Sequence, residues 1–249
     1  MSKLLPLLSL AVFCLGLCPA PASAAGEQGK LRVVVITGGH GFNRNEFFKI
    51  FQGHDDIEYR EVVQPKANDL YTPEARKTYD VIVMYDMWQK ITAEQKKNLI
   101  ARLNEGLPLV VLHHAIASYQ DWPEYEKIIG ARYYLQPTMV RGKLHPRSTY
   151  QHDVRFTVKI ADPNHPITRG MADFEIVDET YNLFDVADDV HPLLTVEHEK
   201  SGKIIGWTHH YGNSRIVYIQ LGHGPSAFGN ENYRRLVAQA IRWVAGRLD

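Results

Sequence analysis

Leu109-Val110-Val111-Leu112 is apolar at every position, and Leu31-Arg32-Val33-Val34-Val35-Ile36 at all but one. A strand with one wet face alternates apolar and polar residues, whereas a strand apolar throughout needs cover on both faces. The β-branched side chains of these runs favour extended backbone, and a turn and a helical pattern follow the first of them. Asn43 and Glu46 make a capping pair, and Phe47, Phe48 and Phe51 fall on one face of a helix ended by Gly53. The pattern recurs: Tyr79 to Met84 is apolar, then Thr92 with Gln95 opens a helix carrying Leu99, Ile100 and Leu103 inward to Gly106. Strands covered by helices on both sides make an α/β fold, with a mostly parallel central sheet as the middle of three layers.

From Tyr133 to about Val190 the regularity weakens among Pro137, Pro146, Pro163 and Pro166, and only Val154 to Ile160 alternates clearly. This stretch reads as an elaboration on one core. Lys203 to Thr208 and Arg215 to Leu221 then bracket a turn at Gly212-Asn213, and Tyr233, Leu236, Val237, Ala240, Ile241 and Val244 line a long amphipathic helix. No internal linker is long enough to separate a second domain, so residues 25–249 count as one.

Residues 1–24 read as a signal peptide: Lys3, an apolar run from Leu4 to Leu17, then the small residues Ala22-Ser23-Ala24. The run is shorter than the roughly 20 apolar residues that span a bilayer, so no membrane span is expected after cleavage. A periplasmic or secreted location follows. Lipidation at Cys18 is the minor alternative, because bulky Leu17 precedes it. The chain's two cysteines, Cys14 and Cys18, both fall in this leader, which removes disulfides, thiolate nucleophiles and Cys-ligated zinc from the exported product. With 28 basic and 28 acidic residues, the chain has no net field to collect phosphates, so nucleic acid is not an expected partner and small neutral molecules are.

In an open parallel sheet, ligands bind beyond the carboxyl ends of the strands. Three strand ends here deliver histidine: His40 in Gly38-Gly39-His40-Gly41, the pair His113-His114, and His223 in Gly222-His223-Gly224. The first segment lacks the G-x-G-x-x-G spacing and the phosphate-loop lysine, so it reads as a tight turn presenting His40, with no nucleotide cofactor. Neighbours leaving a strand point in opposite directions, so one of His113 and His114 suffices for function; His114 is the catalytic candidate and His113 a substrate-binding one. His209-His210 beside the Gly212-Asn213 turn reads as an exposed hairpin end. Asp178-Glu179 offers a general base, a metal ligand or a hydroxyl acceptor, or else a solvated loop pair. Trp122, Tyr125, Trp207 and Phe228 can stack on a sugar ring or belong to the core. No serine sits in a G-x-S-x-G elbow.

The ordered segments Ile36-Thr37-Gly38-Gly39-His40-Gly41-Phe42-Asn43, Leu112-His113-His114-Ala115 with Trp122, and Leu221-Gly222-His223-Gly224 resemble the ThuA-like, or trehalose-utilisation, family. Asn164-His165-Pro166-Ile167, Gly170, Phe174, Asp178-Glu179-Thr180-Tyr181, Gly206-Trp207-Thr208-His209 and Tyr211-Gly212 extend the resemblance over the mature chain. It implies a flavodoxin-like sandwich similar to class I glutamine amidotransferases. There, a cysteine elbow and a later strand-end histidine form the active site. Here the elbow position carries His113-His114, and Pro225 stands where a glutamate would follow His223, so glutamine hydrolysis is contradicted. The resemblance implies carbohydrate metabolism instead, in a family linked to trehalose and to keto-type disaccharides, and trehalose itself is not carried over to this chain.

The resulting expectation is an exported enzyme, a hydrolase, lyase or isomerase, acting on a small-molecule carbohydrate. His40, His114 and His223, with Glu179 as a fourth member, converge on one pocket, and Gly39, Asn43, His113, Trp122 and Tyr181 bind substrate. Either His40, His114 and His223 hold a divalent metal, zinc or manganese, or the same residues act as acid and base without one. The rival expectation is a non-catalytic sugar-binding or scaffold domain, which has no need of titratable groups at three strand ends. The leader makes a prediction of its own: N-terminal sequencing of exported material reads from near Ala25, and retention of Met1 overturns the leader.

Overall fold

The computed structural model describes residues 29–140 and 142–249, so the expected leader lies outside the described residues. The strands are β1 (Leu31–Gly38), β2 (Ile57–Val63), β3 (Val81–Asp86), β4 (Leu109–Leu112), β5 (Ala131–Arg132), β6 (Thr138–Val140), β7 (Lys143–His145), β8 (Thr149–Ile160), β9 (Phe174–Asn182), β10 (Asp185–Val186), β11 (His191–Val196), β12 (Ile204–Tyr211) and β13 (Ser214–Ile219). The α-helices are α1 (Arg44–Phe47), α2 (Pro73–Arg76), α3 (Ala93–Asn104), α4 (Pro123–Ile129), α5 (Pro225–Phe228) and α6 (Glu231–Val244). None of the described helices is long and apolar enough to cross a membrane.

Nine strands form one sheet in the order β2-β1-β3-β4-β13-β12-β11-β8-β9. Its first five strands pair in parallel. From β13 onward every pairing is antiparallel, so the sheet is mixed, not mostly parallel. The proline-rich middle stretch supplies β8, β9 and β11, and no helix is described between them to make the crossover that parallel pairing uses.

The parallel half shows why its strands lack alternation. Val33 and Val35 of β1 join one core cluster while Val34 and Ile36 join the other. Val110 and Leu112 of β4 likewise face α6 and its neighbours, and Leu109 and Val111 face the side of α3 and α4. In β8, by contrast, Val154, Phe156 and Val158 are buried while Arg155 and Thr157 between them are exposed, giving one dry face. The local signals act as expected at Thr92, where a full capping box with Gln95 starts α3, and at Asn43, whose side chain accepts from Glu46 N. The phenylalanine segment divides into α1 and a 3-10 turn over Phe48–Phe51 instead of one helix.

At the end of β3, fully buried Asp86 accepts a hydrogen bond from Gln64 Nε2 at 2.9 Å. The same amide nitrogen lies 3.1 Å from both Asn68 Oδ1 and Tyr119 Oη, and Tyr119 donates to Asn68 at 2.7 Å. Burial pushes the Asp86 carboxyl up to about 7, against a smaller opposing effect of the Gln64 bond. The folded protein therefore keeps this proton up to about pH 7, whereas the unfolded chain loses it near pH 4. Its contribution to stability is fully present below the unfolded value and is lost as pH rises through the folded one. Asp86→Asn is expected to flatten the fall in melting temperature between pH 5 and pH 8; an unchanged slope in thermal scans contradicts a buried neutral carboxyl.

Candidate functional site

Three strand ends at the carboxyl edge of the parallel half, those of β1, β4 and β13, contribute histidine. Gly39, at φ +79°, sits so close to the Met87 carbonyl that a side chain would collide with it, and this close approach sets the turn that presents His40. After β4 the backbone turns abruptly, with His113 at φ +50°, a conformation that costs a non-glycine residue of order 1–3 kcal/mol. After β13, Gly222 at φ +114° lies against the Tyr233 hydroxyl and leads into His223. The sheet also coils, so that β9, its far edge strand, brings Asp178, Glu179 and Tyr181 back to these ends. Asp178 is buried and accepts from Gly222 N at 2.7 Å and His223 N at 2.9 Å. Burial raises its carboxyl above the ordinary value, with His113 and the two backbone donors opposing.

His113, Glu179 and His223 meet at the centre. His113 Nδ1 is 2.6 Å from the Gln220 carbonyl, which can only accept, so that nitrogen carries the hydrogen. Its Nε2 is 3.1 Å from Glu179 Oε2, 3.2 Å from His223 Nδ1 and 2.9 Å from the Tyr181 hydroxyl. His223 Nδ1 is 3.3 Å from Glu179 Oε2, and His152 Nδ1 is 3.0 Å from Glu179 Oε1. Burial alone would raise the Glu179 carboxyl, but the adjacent imidazoles of His113 and His223 hold it well below the usual carboxylate range. The bond to Glu179 in turn raises His223 above the ordinary imidazole value, against some burial.

Beside this cluster opens a pocket of about 250 Å³. His40 and His114 stack on one wall with centroids 4.4 Å apart, Tyr133 and Tyr181 form another, and Arg147, Tyr150 and His152 stand at its rim. His114 is buried, and neither ring nitrogen has a hydrogen-bond partner among the described residues. Burial, with the neighbouring His113 and His40, keeps its pKa well below the ordinary value. His40 is exposed on the pocket side and packed on the other, and this packing, with His113 and His223 nearby, lowers its pKa.

The structure thus brings His40, His114, His223 and Glu179 together with His113 and Tyr181. Both histidines after β4 contribute, His113 to the inner cluster and His114 to the pocket wall. The donors that come within 4.8 Å of one another are His113, Glu179 and His223, a group that shares only His223 with the ligand trio His40, His114 and His223 expected from sequence. Gly39 shapes a turn and Asn43 caps α1, and neither lines the pocket. Trp122 is not there either: it packs against Tyr119 and Tyr125 under Lys96. Trp207, Tyr125 and Phe228 are core residues. His209 is buried and bonds the Lys127 carbonyl at 2.9 Å, so only His210 of that pair is exposed. Sequence reasoning missed His152, Tyr150, Tyr133 and Arg147, all from the irregular middle stretch.

No curated protein sequence matches this chain. Among solved structures it is similar to a ThuA-like protein from Parabacteroides merdae ATCC 43184, with TM-score 0.72 and 18% identity over 88% of this chain and 91% of that one. A ThuA-like protein from Bacteroides uniformis ATCC 8492 gives TM-score 0.66 and 20% identity, covering 90% and 95%. The fold is also similar to 31% of the β-galactosidase from Bacillus circulans sp. alkalophilus, with TM-score 0.56, 8% identity and 88% of this chain covered. At such identities the likeness is one of fold, an α/β architecture around a large mixed sheet. The profile of the ThuA family, described as trehalose utilisation, matches residues 22–244, and the chain therefore belongs to that family.

Proposed function

We propose that the chain is an exported enzyme of carbohydrate metabolism that transforms a sugar or keto-glycoside in the pocket beside His40. The observation that carries this reading is the gathering of His40, His114, His152 and Glu179 on one small pocket with tyrosine walls. A volume of about 250 Å³ lies just under the roughly 300 Å³ at which small-molecule sites begin, which suits one sugar ring and not a long oligosaccharide. Tyr133 and Tyr181 offer apolar ring faces to the sugar's C–H groups, while Glu179 accepts from its hydroxyls. His40 and His152, exposed to the pocket, are the groups placed to take and return a proton. The family's link to trehalose utilisation supports the substrate class. A sugar-binding or scaffold domain needs the tyrosine walls but not this concentration of imidazoles.

A screen of native and 3-keto disaccharides against the purified mature chain tests the reading. Turnover of one such compound is expected, and binding without turnover favours the scaffold. His40→Ala is expected to lower kcat/KM by about 10²–10⁴-fold, the usual share of a general acid or base. His210→Ala, exposed and away from the pocket, is expected to leave it within about twofold; the reverse ranking of the two variants removes His40 from the chemistry. Glutamine is expected to release no ammonia, because residues 25–249 hold no thiol to attack its amide, and turnover lost in His223→Ala contradicts that exclusion.

A further inference from the structure

We propose that His113 Nε2, Glu179 Oε2 and His223 Nδ1 are three protein ligands of one divalent transition-metal ion beside the pocket, with Glu179 shared between the two. The three separations are 3.1, 3.2 and 3.3 Å, a nearly equilateral triangle. Donors about 2.0–2.1 Å from a tetrahedral ion stand about 3.3 Å apart, so the triangle has the size of one face of such a coordination shell. Hydrogen bonds alone account poorly for it. The Tyr181 hydroxyl can donate to His113 Nε2, and His223 can donate to Glu179. Yet a hydrogen bond is directed along one donor axis, and the His113–Glu179 edge then has no proton of its own. A single ion touches all three corners.

The groups behind the triangle point the same way. Metal-bound imidazoles commonly give their other N–H to a carbonyl or carboxylate, which fixes the ring and bares the ligating nitrogen. His113 does this with Gln220 at 2.6 Å. Glu179 Oε1 is engaged by His152 at 3.0 Å, which leaves Oε2 as the single ligating oxygen. The backbone of His223 is anchored by buried Asp178. Two imidazoles and one carboxylate suit zinc, with manganese as the harder alternative. His40 and His114 do not join the set, because stacked rings direct their in-plane lone pairs side by side and not toward one point. Glu179 belongs to both the triangle and the pocket wall, so a sugar hydroxyl or carbonyl that reaches this wall meets the ion, which polarises it.

The substrate role rests on the carbohydrate reading above, but ion binding is measured without any sugar. The mature chain is stripped with chelator, checked for unchanged circular dichroism, and titrated calorimetrically with ZnCl₂ and then with MnCl₂. One equivalent of Zn²⁺ per chain is expected, and Co²⁺ is expected to give the strong visible absorption of a tetrahedral site. His113→Gln, His223→Gln and Glu179→Gln are each expected to weaken zinc about 100-fold or more, beyond the loss typical of changes behind a ligand. His40→Ala is expected to retain it within about tenfold. Failure of the folded stripped chain to take up either ion overturns the site, as does uptake that ignores the three substitutions or follows His40. The cobalt spectrum of the unsubstituted chain decides the matter even where a variant fails to fold. Sugar turnover without metal uptake overturns the ion and leaves the carbohydrate reading standing; metal uptake without turnover of any sugar does the opposite.

Discussion

Asp178 carries the connection on which the rest of the site depends. It belongs to β9, four strands away from β13 in the sheet, yet its two oxygens hold the backbone N–H groups of Gly222 and His223. Hydrogen bonds to a charged group contribute about 1.5–3 kcal/mol each, and losing a buried acceptor leaves both amides bare. This clamp joins the antiparallel half, which supplies Glu179 and Tyr181, to the parallel half, which supplies His40, His113 and His114. The next residue, Glu179, can engage His113 and His223 because Asp178 has fixed where its strand lies. Strand alternation does the rest, turning one carboxylate toward backbone and its neighbour toward imidazole.

A second constraint runs through the centre of the molecule. The strained backbone at His113 and the crowded glycines at 39 and 222 are unfavourable locally, and the sheet holds them in place. Large aromatic side chains fill the space beneath: Tyr85 stacks on Phe47 at 4.1 Å and donates to the Gly222 carbonyl at 2.7 Å. The turns that present His40 and His223 are thus supported from the same side. A rigid floor of this kind keeps the imidazoles in place before any ligand arrives, which is the condition for efficient proton transfer or ligation.

The parallel half was legible because its signals are local. Unbroken apolar runs, a capping box at Thr92 and glycine after each strand specify element, boundary and edge, and with them His40, His114 and His223. The antiparallel half was not, and β8 shows why. Val154, Phe156 and Val158 alternate toward the core, and extending that phase backward turns Tyr150 and His152 toward the core as well. The pairing with β9 instead shifts register between Gln151 and Val154, with Asp153 at φ +54°, so that one extra residue reverses the phase and Tyr150 lies opposite Tyr181. Composition carries no mark of such a bulge. Trp122 misleads in the other direction: a tryptophan near a strand-end motif suggests a sugar platform, and packing against Tyr119 and Tyr125 claims it for the core.

The position of β13 makes the sheet depend on the last part of the chain. It is the last strand in the chain, yet it lies in the middle of the sheet, between β4 and β12. Until residues 214–219 have been made, β4 and β12 each present an unpaired apolar edge, the kind of surface that recruits other chains. His113 and Glu179 both lack His223 before that moment, because His223 follows the same strand. A chain shortened by a few dozen residues at its carboxyl end therefore loses its central strand, its site and its protection from aggregation together.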